Sequence, residues 1–139
     1  ATVRKSKTPV ISIIDDDKSI RAATNRLVRS LGFEPHTFTS AEEFLQSPHR
    51  HDSSCVIADV RMPGMSGVAL QKLLIDEGTA LPIIFITAFP EEAARKRALD
   101  AGAIAFLSKP FEGKTLIKCL SAALRKPDDG PAKNNPELN

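Results

Sequence analysis

Val10-Ile11-Ser12-Ile13-Ile14-Asp15-Asp16-Asp17 is a nearly continuous apolar run that stops on three carboxylates. A run with no wet face suits a strand buried on both sides in a parallel sheet, not one face of an antiparallel sheet. Cys55 to Ala58 and Ile83 to Thr87 read the same way. Helical patterns lie between these runs. Ser19 to Leu31 places Ile20, Ala23, Leu27 and Leu31 on one side, and Gly32 closes it as a C-terminal cap would. Ser40-Ala41-Glu42-Glu43 has capping-box spacing and opens a short helix through Leu45. Val68 to Glu77 carries Leu70, Leu73 and Leu74 ahead of Gly78. Glu91 to Ala101 follows Pro90 and runs to Gly102, and from Phe111 onward Leu116, Leu120 and Leu124 recur at four-residue spacing. Two weaker strands complete the series. Phe33 to Phe38 holds Pro35, which an edge strand tolerates, and Ala103 to Ser108 is short. Five strands and five helices in strict alternation predict an α/β fold, a doubly wound parallel sheet with helices on both faces.

A chain of 139 residues fits one domain with one core. Residues 1–8 read as a polar N-terminal extension and 9–126 as the domain. Residues 127–139 hold three prolines and no aromatic residue, so a disordered tail or linker is expected there. A net charge of only +2 gives no reason to expect nucleic-acid binding. No apolar stretch approaches the ~20 residues of a membrane span. Ala1 to Pro9 does not resemble a secretory signal, so a cytoplasmic location is the expectation. Cys55 and Cys119 sit in apolar runs and are expected as two buried thiols. His36, His49 and His51 lack the spacing and companions of a metal site. Gly64 and Gly67 are expected to serve turn geometry, since no nucleotide-binding loop pattern surrounds them. Arg95-Lys96-Arg97 reads as a solvated helix face or an interaction surface, too short to suggest DNA binding.

In an open parallel sheet, function gathers at the carboxyl ends of the strands. The first strand ends in Asp15-Asp16-Asp17, the third in Asp59, the fourth in Thr87, and the fifth in Ser108-Lys109-Pro110. The fold would therefore bring several carboxylates, one hydroxyl and one ammonium into one cleft. Clustered carboxylates repel and need a cation to stay ionised together. An oxygen-only ligand set with room for water suits Mg²⁺. A carboxylate can attack phosphorus to form an aspartyl phosphate, and a Lys and a hydroxyl can steady the remaining oxygens. Asp17 has no part in this set and reads as a helix N-cap.

Ile14-Asp15-Asp16, Asp59-Val60-Arg61-Met62-Pro63-Gly64-Met65-Ser66-Gly67, Ile86-Thr87-Ala88 and Lys109-Pro110-Phe111 together resemble the signature of bacterial response-regulator receiver domains, in particular the FixJ-type branch. The resemblance covers roughly Pro9 to Arg125. It implies a flavodoxin-like, CheY-like sheet of order 2-1-3-4-5. It implies Asp59 as the phosphoacceptor, with Mg²⁺ held by Asp15, Asp16, Asp59 and the backbone carbonyl of Arg61. Thr87 would hydrogen-bond the phosphoryl group, Lys109 would pair with it, and Thr87 with Phe106 would form the switch. The Lys109-Pro110 bond would be cis. Phe89, where relatives often carry a small or polar residue, could shield the site. The implied donor is a sensor histidine kinase or phosphotransfer protein. The implied target is a downstream protein or output domain reached through the fourth-helix and fifth-strand face, with a phosphorylation-dependent homodimer as one form of output. No direct nucleic-acid contact by this domain is implied.

Three other functions compete. An aspartyl-phosphate phosphohydrolase commonly has a second Asp two residues after its nucleophile, and Arg61 stands there instead. A flavin-binding domain of similar topology would need a phosphate-cradling loop after the first strand, where Asp15 to Asp17 would repel phosphate. A degenerate, purely structural receiver would lack one of the functional residues, and every position is filled.

Overall fold

A computed structural model describes residues 8–125. Most of the expected N-terminal extension and the whole expected tail lie outside the described residues. The elements alternate as predicted: β1 (Val10–Ile14), α1 (Lys18–Ser30), β2 (Glu34–Phe38), α2 (Ala41–Gln46), β3 (Ser53–Asp59), α3 (Gly67–Asp76), β4 (Ile83–Thr87), α4 (Glu92–Asp100), β5 (Ala105–Ser108) and α5 (Gly113–Ala123). One 3-10 turn, Arg50–Asp52, precedes β3. All pairings are parallel and the strand order is β2-β1-β3-β4-β5. Pro35 sits on β2, an edge strand, where its missing N–H is tolerated.

The central strands alternate between two cores. Ile11, Ile13, Cys55, Ile57, Ile84 and Ile86 face one way and meet Val28 of α1 and Leu116 and Leu120 of α5. Ile14, Val56, Ala58 and Phe85 face the other and meet Phe44 of α2, Leu70 and Leu74 of α3, and Ala98 of α4. Both faces of the sheet are therefore dry, which is why the strand runs are almost uninterrupted in apolar residues. Ser12, the polar exception in β1, shares a 2.6 Å hydrogen bond with Ser53 of β3.

Three details differ from the expectations. In α1 the fully buried positions are Thr24 and Val28, with Ile20 and Leu27 beside them, while Ala23 faces solvent. The buried stripe is rolled by one position because α1 leans toward β2 as well as β1. Cys119 is only half-buried, unlike Cys55, and both thiols are free. Gly67 is not a turn glycine but the first residue of α3; a Cβ there would collide with the carbonyl oxygen of Asp59. Gly64 does take the left-handed conformation, at φ +80°.

Candidate functional site

Each site residue stands where a strand gives out at the carboxyl edge. The Asp15 N–H donates to the Phe38 carbonyl at 3.1 Å, which ties the end of β1 to the end of β2. The Asp17 N–H then donates to Asp15 Oδ1 at 2.9 Å. Asp17 itself caps α1, accepting from the N–H groups of Ser19 and Ile20 at 2.8 and 3.2 Å, as its sequence position suggests. Arg21, one turn into α1, donates from Nη1 to the Asp15 carbonyl at 2.9 Å. On β3, Asp59 lies opposite Ile86 of β4. Thr87 follows, opposite Ser108 of β5, and the Lys109 N–H donates to the Thr87 carbonyl at 2.8 Å. The Lys109–Pro110 bond is cis.

The side chains converge. Lys109 Nζ lies 3.1 Å from Asp15 Oδ2 and 3.2 Å from Asp59 Oδ2. Asp15 is wholly buried and Asp59 is 6% exposed, whereas Asp16 is at the solvent side. One carboxylate oxygen from each of the three lies within 4.8 Å of the others. Burial and the charge of Asp15 push the Asp59 carboxyl up to about 6, with Lys109 only partly countering them. Burial opposes the Lys109 charge, yet the hydrogen bonds and charges of Asp15 and Asp59 hold its ammonium above the usual lysine range.

One atom in this cluster is poorly satisfied. Asp15 Oδ2 is buried and accepts no well-aligned hydrogen bond, although Lys109 is within ion-pair distance. One ammonium cannot align with two carboxylates and meet all their lone pairs. A hard divalent cation beside Asp15, Asp16 and Asp59 would supply the missing coordination and relieve the repulsion. The donor set is all oxygen, so it fits Mg²⁺ rather than an imidazole- or thiolate-seeking metal.

The remaining predicted residues are close by. The Arg61 N–H donates to Asp59 Oδ1 at 3.3 Å, so its main chain lies against the carboxylate while its side chain points outward. Thr87 is wholly buried, and its Oγ1 accepts from the Phe89 N–H at 3.0 Å. Phe106 is half-buried and its ring sits 6.1 Å from that of Phe85. Phe89 is 61% exposed, with the Arg61 guanidinium 5.0 Å from its ring centroid. Glu91, which the sequence did not single out, pairs with Arg61 at 2.7 Å. Arg21 was missed as well. Neither contact leaves a local pattern, because each depends on how a loop folds back onto the edge of the sheet. His36 and His49 come together on the far side of β2, with ring centroids 6.1 Å apart and away from this cluster.

Chemically, the cleft brings together buried carboxylates able to hold a metal ion, an ammonium and a buried hydroxyl. That is what transfer of a phosphoryl group to a side chain requires.

Known proteins resemble this chain in sequence and in fold. Residues 11–121 match the family described as the response regulator receiver domain. The response regulator protein TodT of Pseudomonas putida is 41% identical over 116 residues, which are 84% of this chain and 51% of TodT. The transcriptional regulatory protein FixJ of Bradyrhizobium diazoefficiens is 35% identical over 116 residues, 84% of this chain and 57% of FixJ. The chain thus spans about half the length of these curated relatives. Among solved structures, a response regulator receiver protein from Burkholderia phymatum superposes with a TM-score of 0.72 at 42% identity, covering 84% of this chain and 95% of that one.

Proposed function

The chain belongs to the response regulator receiver domain family, and on that premise we propose that Asp59 accepts a phosphoryl group from a histidine kinase or phosphotransfer protein, with Mg²⁺ held by Asp15, Asp16, Asp59 and the Arg61 carbonyl. The observation that carries this is the convergence of Asp15 and Asp59 on Lys109 Nζ, at 3.1 and 3.2 Å, at the edge of the sheet, where the buried Asp15 Oδ2 lacks a full complement of partners.

The residues divide the work. Asp59 is the nucleophile: burial and the Asp15 charge raise its carboxyl, while Lys109 and a bound cation would hold it ionised at neutral pH. Bound Mg²⁺ supplies charge neutralisation for the incoming phosphoryl oxygens. Lys109 already spans Asp15 and Asp59, so a short displacement brings its ammonium onto a phosphoryl oxygen. Thr87 Oγ1 accepts from the Phe89 N–H, which leaves the hydroxyl proton free to donate to another. The new bond draws Thr87 toward the phosphoryl group and opens space beside β4. Phe106, half-buried against Phe85, then turns inward and changes the α4/β5 face that reaches the partner or output domain. The curated relatives include a protein named as a transcriptional regulator, which suits an output domain lying beyond this stretch.

The test is intact-mass measurement after incubation with a small phosphodonor and Mg²⁺. The wild type is expected to gain one phosphoryl group, and Asp59→Asn and metal-depleted wild type none. Equal labelling of Asp59→Asn would overturn the assignment. For the switch, amide shifts along α4 should respond to a phosphoryl mimic in wild type and not in Thr87→Ala.

A further inference from the structure

We propose that Glu42, on α2, is a positioning residue for the cation site, because its carboxylate pins the β3–α3 loop that carries Arg61. This rests on the reading of Asp15, Asp16, Asp59 and the Arg61 carbonyl as a Mg²⁺ site. Two observations converge on Glu42. Its Oε2 accepts the Met65 N–H at 2.8 Å, across 23 residues of sequence. At the neighbouring Gly64, a Cβ would fall 2.6 Å from the same Oε2. The loop therefore lies close against the carboxylate, a Cβ at Gly64 would push Glu42 aside, and the φ of +80° there itself favours glycine.

The carboxylate is free for this role because its neighbour does the local capping. Glu43 accepts the Thr39 N–H and hydroxyl at 2.6 and 2.9 Å, and Ser40 Oγ accepts the Glu43 N–H at 3.0 Å. These bonds hold the first turn of α2 and aim Glu42 at the loop. The loop itself runs from Val60 to Ser66 and is anchored at several places along its length. The Gly67 N–H donates to the Val60 carbonyl at 2.9 Å, Met62 is buried in the core, and Met65 hangs on Glu42. Arg61 lies between the first two anchors, and its side chain faces solvent. Its N–H donates to Asp59 Oδ1 and its guanidinium pairs with Glu91, and the loop anchors on either side, Glu42 among them, complete the constraint on its carbonyl. Without the Glu42 bond, the Gly64 hinge gains freedom, and the Arg61 carbonyl must be ordered when the cation binds. No other bond joins α2 to this loop among the described hydrogen bonds.

The test uses the full chain and compares Mg²⁺ affinity by calorimetry with the amide-exchange protection of Met65. Glu42→Asp keeps the charge and shortens the reach; Glu42→Gln removes the charge and keeps an acceptor oxygen of the same length. Glu42→Asp is expected to bind Mg²⁺ about tenfold more weakly and to lose Met65 protection. Glu42→Gln is expected to retain most of both. Wild-type affinity in Glu42→Asp would overturn the inference, as would a loss in Glu42→Gln as large as that in Glu42→Asp, since an acceptor oxygen of the same reach would then fail to hold the site. If wild type takes up no Mg²⁺, or Asp16→Asn takes it up equally well, the reading of the cation site falls and this inference with it. If wild type binds through Asp16 and Glu42→Asp binds equally, this inference falls alone.

Discussion

Asp59 is held at a disadvantage by its surroundings, and that has a measurable sign. Its carboxyl is raised from 3.8 to about 6 in the folded chain. The folded state therefore binds the proton more tightly than the unfolded state does. As pH rises from about 4 through 6, the unfolded chain is favoured progressively, and the penalty is complete above that window. Asp59→Asn removes it. The variant should be more stable than wild type by on the order of 2 kcal/mol near neutral pH without divalent cations. The gap should close below about pH 4, and Mg²⁺ should narrow it. Thermal unfolding at both pH values checks this; a gap independent of pH would contradict it. Lys109→Met should act oppositely. It leaves Asp15 and Asp59 buried without their shared cation, and a loss of about 3 kcal/mol is expected in denaturant unfolding. The cysteines separate by the same logic of burial. Burial pushes the Cys55 thiol up to about 12, while Cys119 is half-buried. A thiol reagent should titrate one cysteine in the native protein and two after denaturation.

At the level of elements, two competing terms meet at Gly67. Glycine inside a helix ordinarily destabilises it by about 1 kcal/mol relative to alanine. Here a Cβ would press on the Asp59 carbonyl and come within 3.0 Å of the Phe85 ring. The strain of overpacking, about 1–3 kcal/mol, should exceed the helix gain. Gly67→Ala is therefore expected to be destabilising and to weaken phosphorylation, because it displaces the backbone of Asp59, the proposed phosphoacceptor. A neutral or stabilised Gly67→Ala in urea unfolding would show that the end of β3 can give way. Asp17→Ala, by contrast, removes two cap hydrogen bonds and should cost about 1 kcal/mol without touching Asp59.

For the whole molecule, the edge of the sheet unites residues from the ends of four strands, β1, β3, β4 and β5, so cation binding should be felt as global stability. A ligand that binds only the folded state raises stability by about 2.7 kcal/mol at a hundredfold excess over its Kd. The unfolding temperature should rise with the logarithm of Mg²⁺ concentration in wild type and stay flat in Asp16→Asn. A flat wild-type response across millimolar Mg²⁺ would count against the proposed site.

The order and type of elements were legible in the amino-acid sequence because apolar period and capping residues are short-range signals. That Asp15, Asp16, Asp59, Thr87 and Lys109 stand at the carboxyl ends of strands was legible for the same reason, since each ends or closely follows a run that announces its own end. The roll of α1 that buries Thr24 in place of Ala23 was not, because it depends on the neighbouring strand β2. Nor was the steric need for Gly67, the Arg61–Glu91 pair or the Glu42–Met65 bond. These link residues far apart in sequence through the geometry of loops, and only the packed structure sets which side chain a loop meets. The perturbed state of Asp59 belongs to the same class. Its carboxylate is ordinary in the chain, and its proton affinity rises only when folding buries it beside Asp15 and within reach of Lys109.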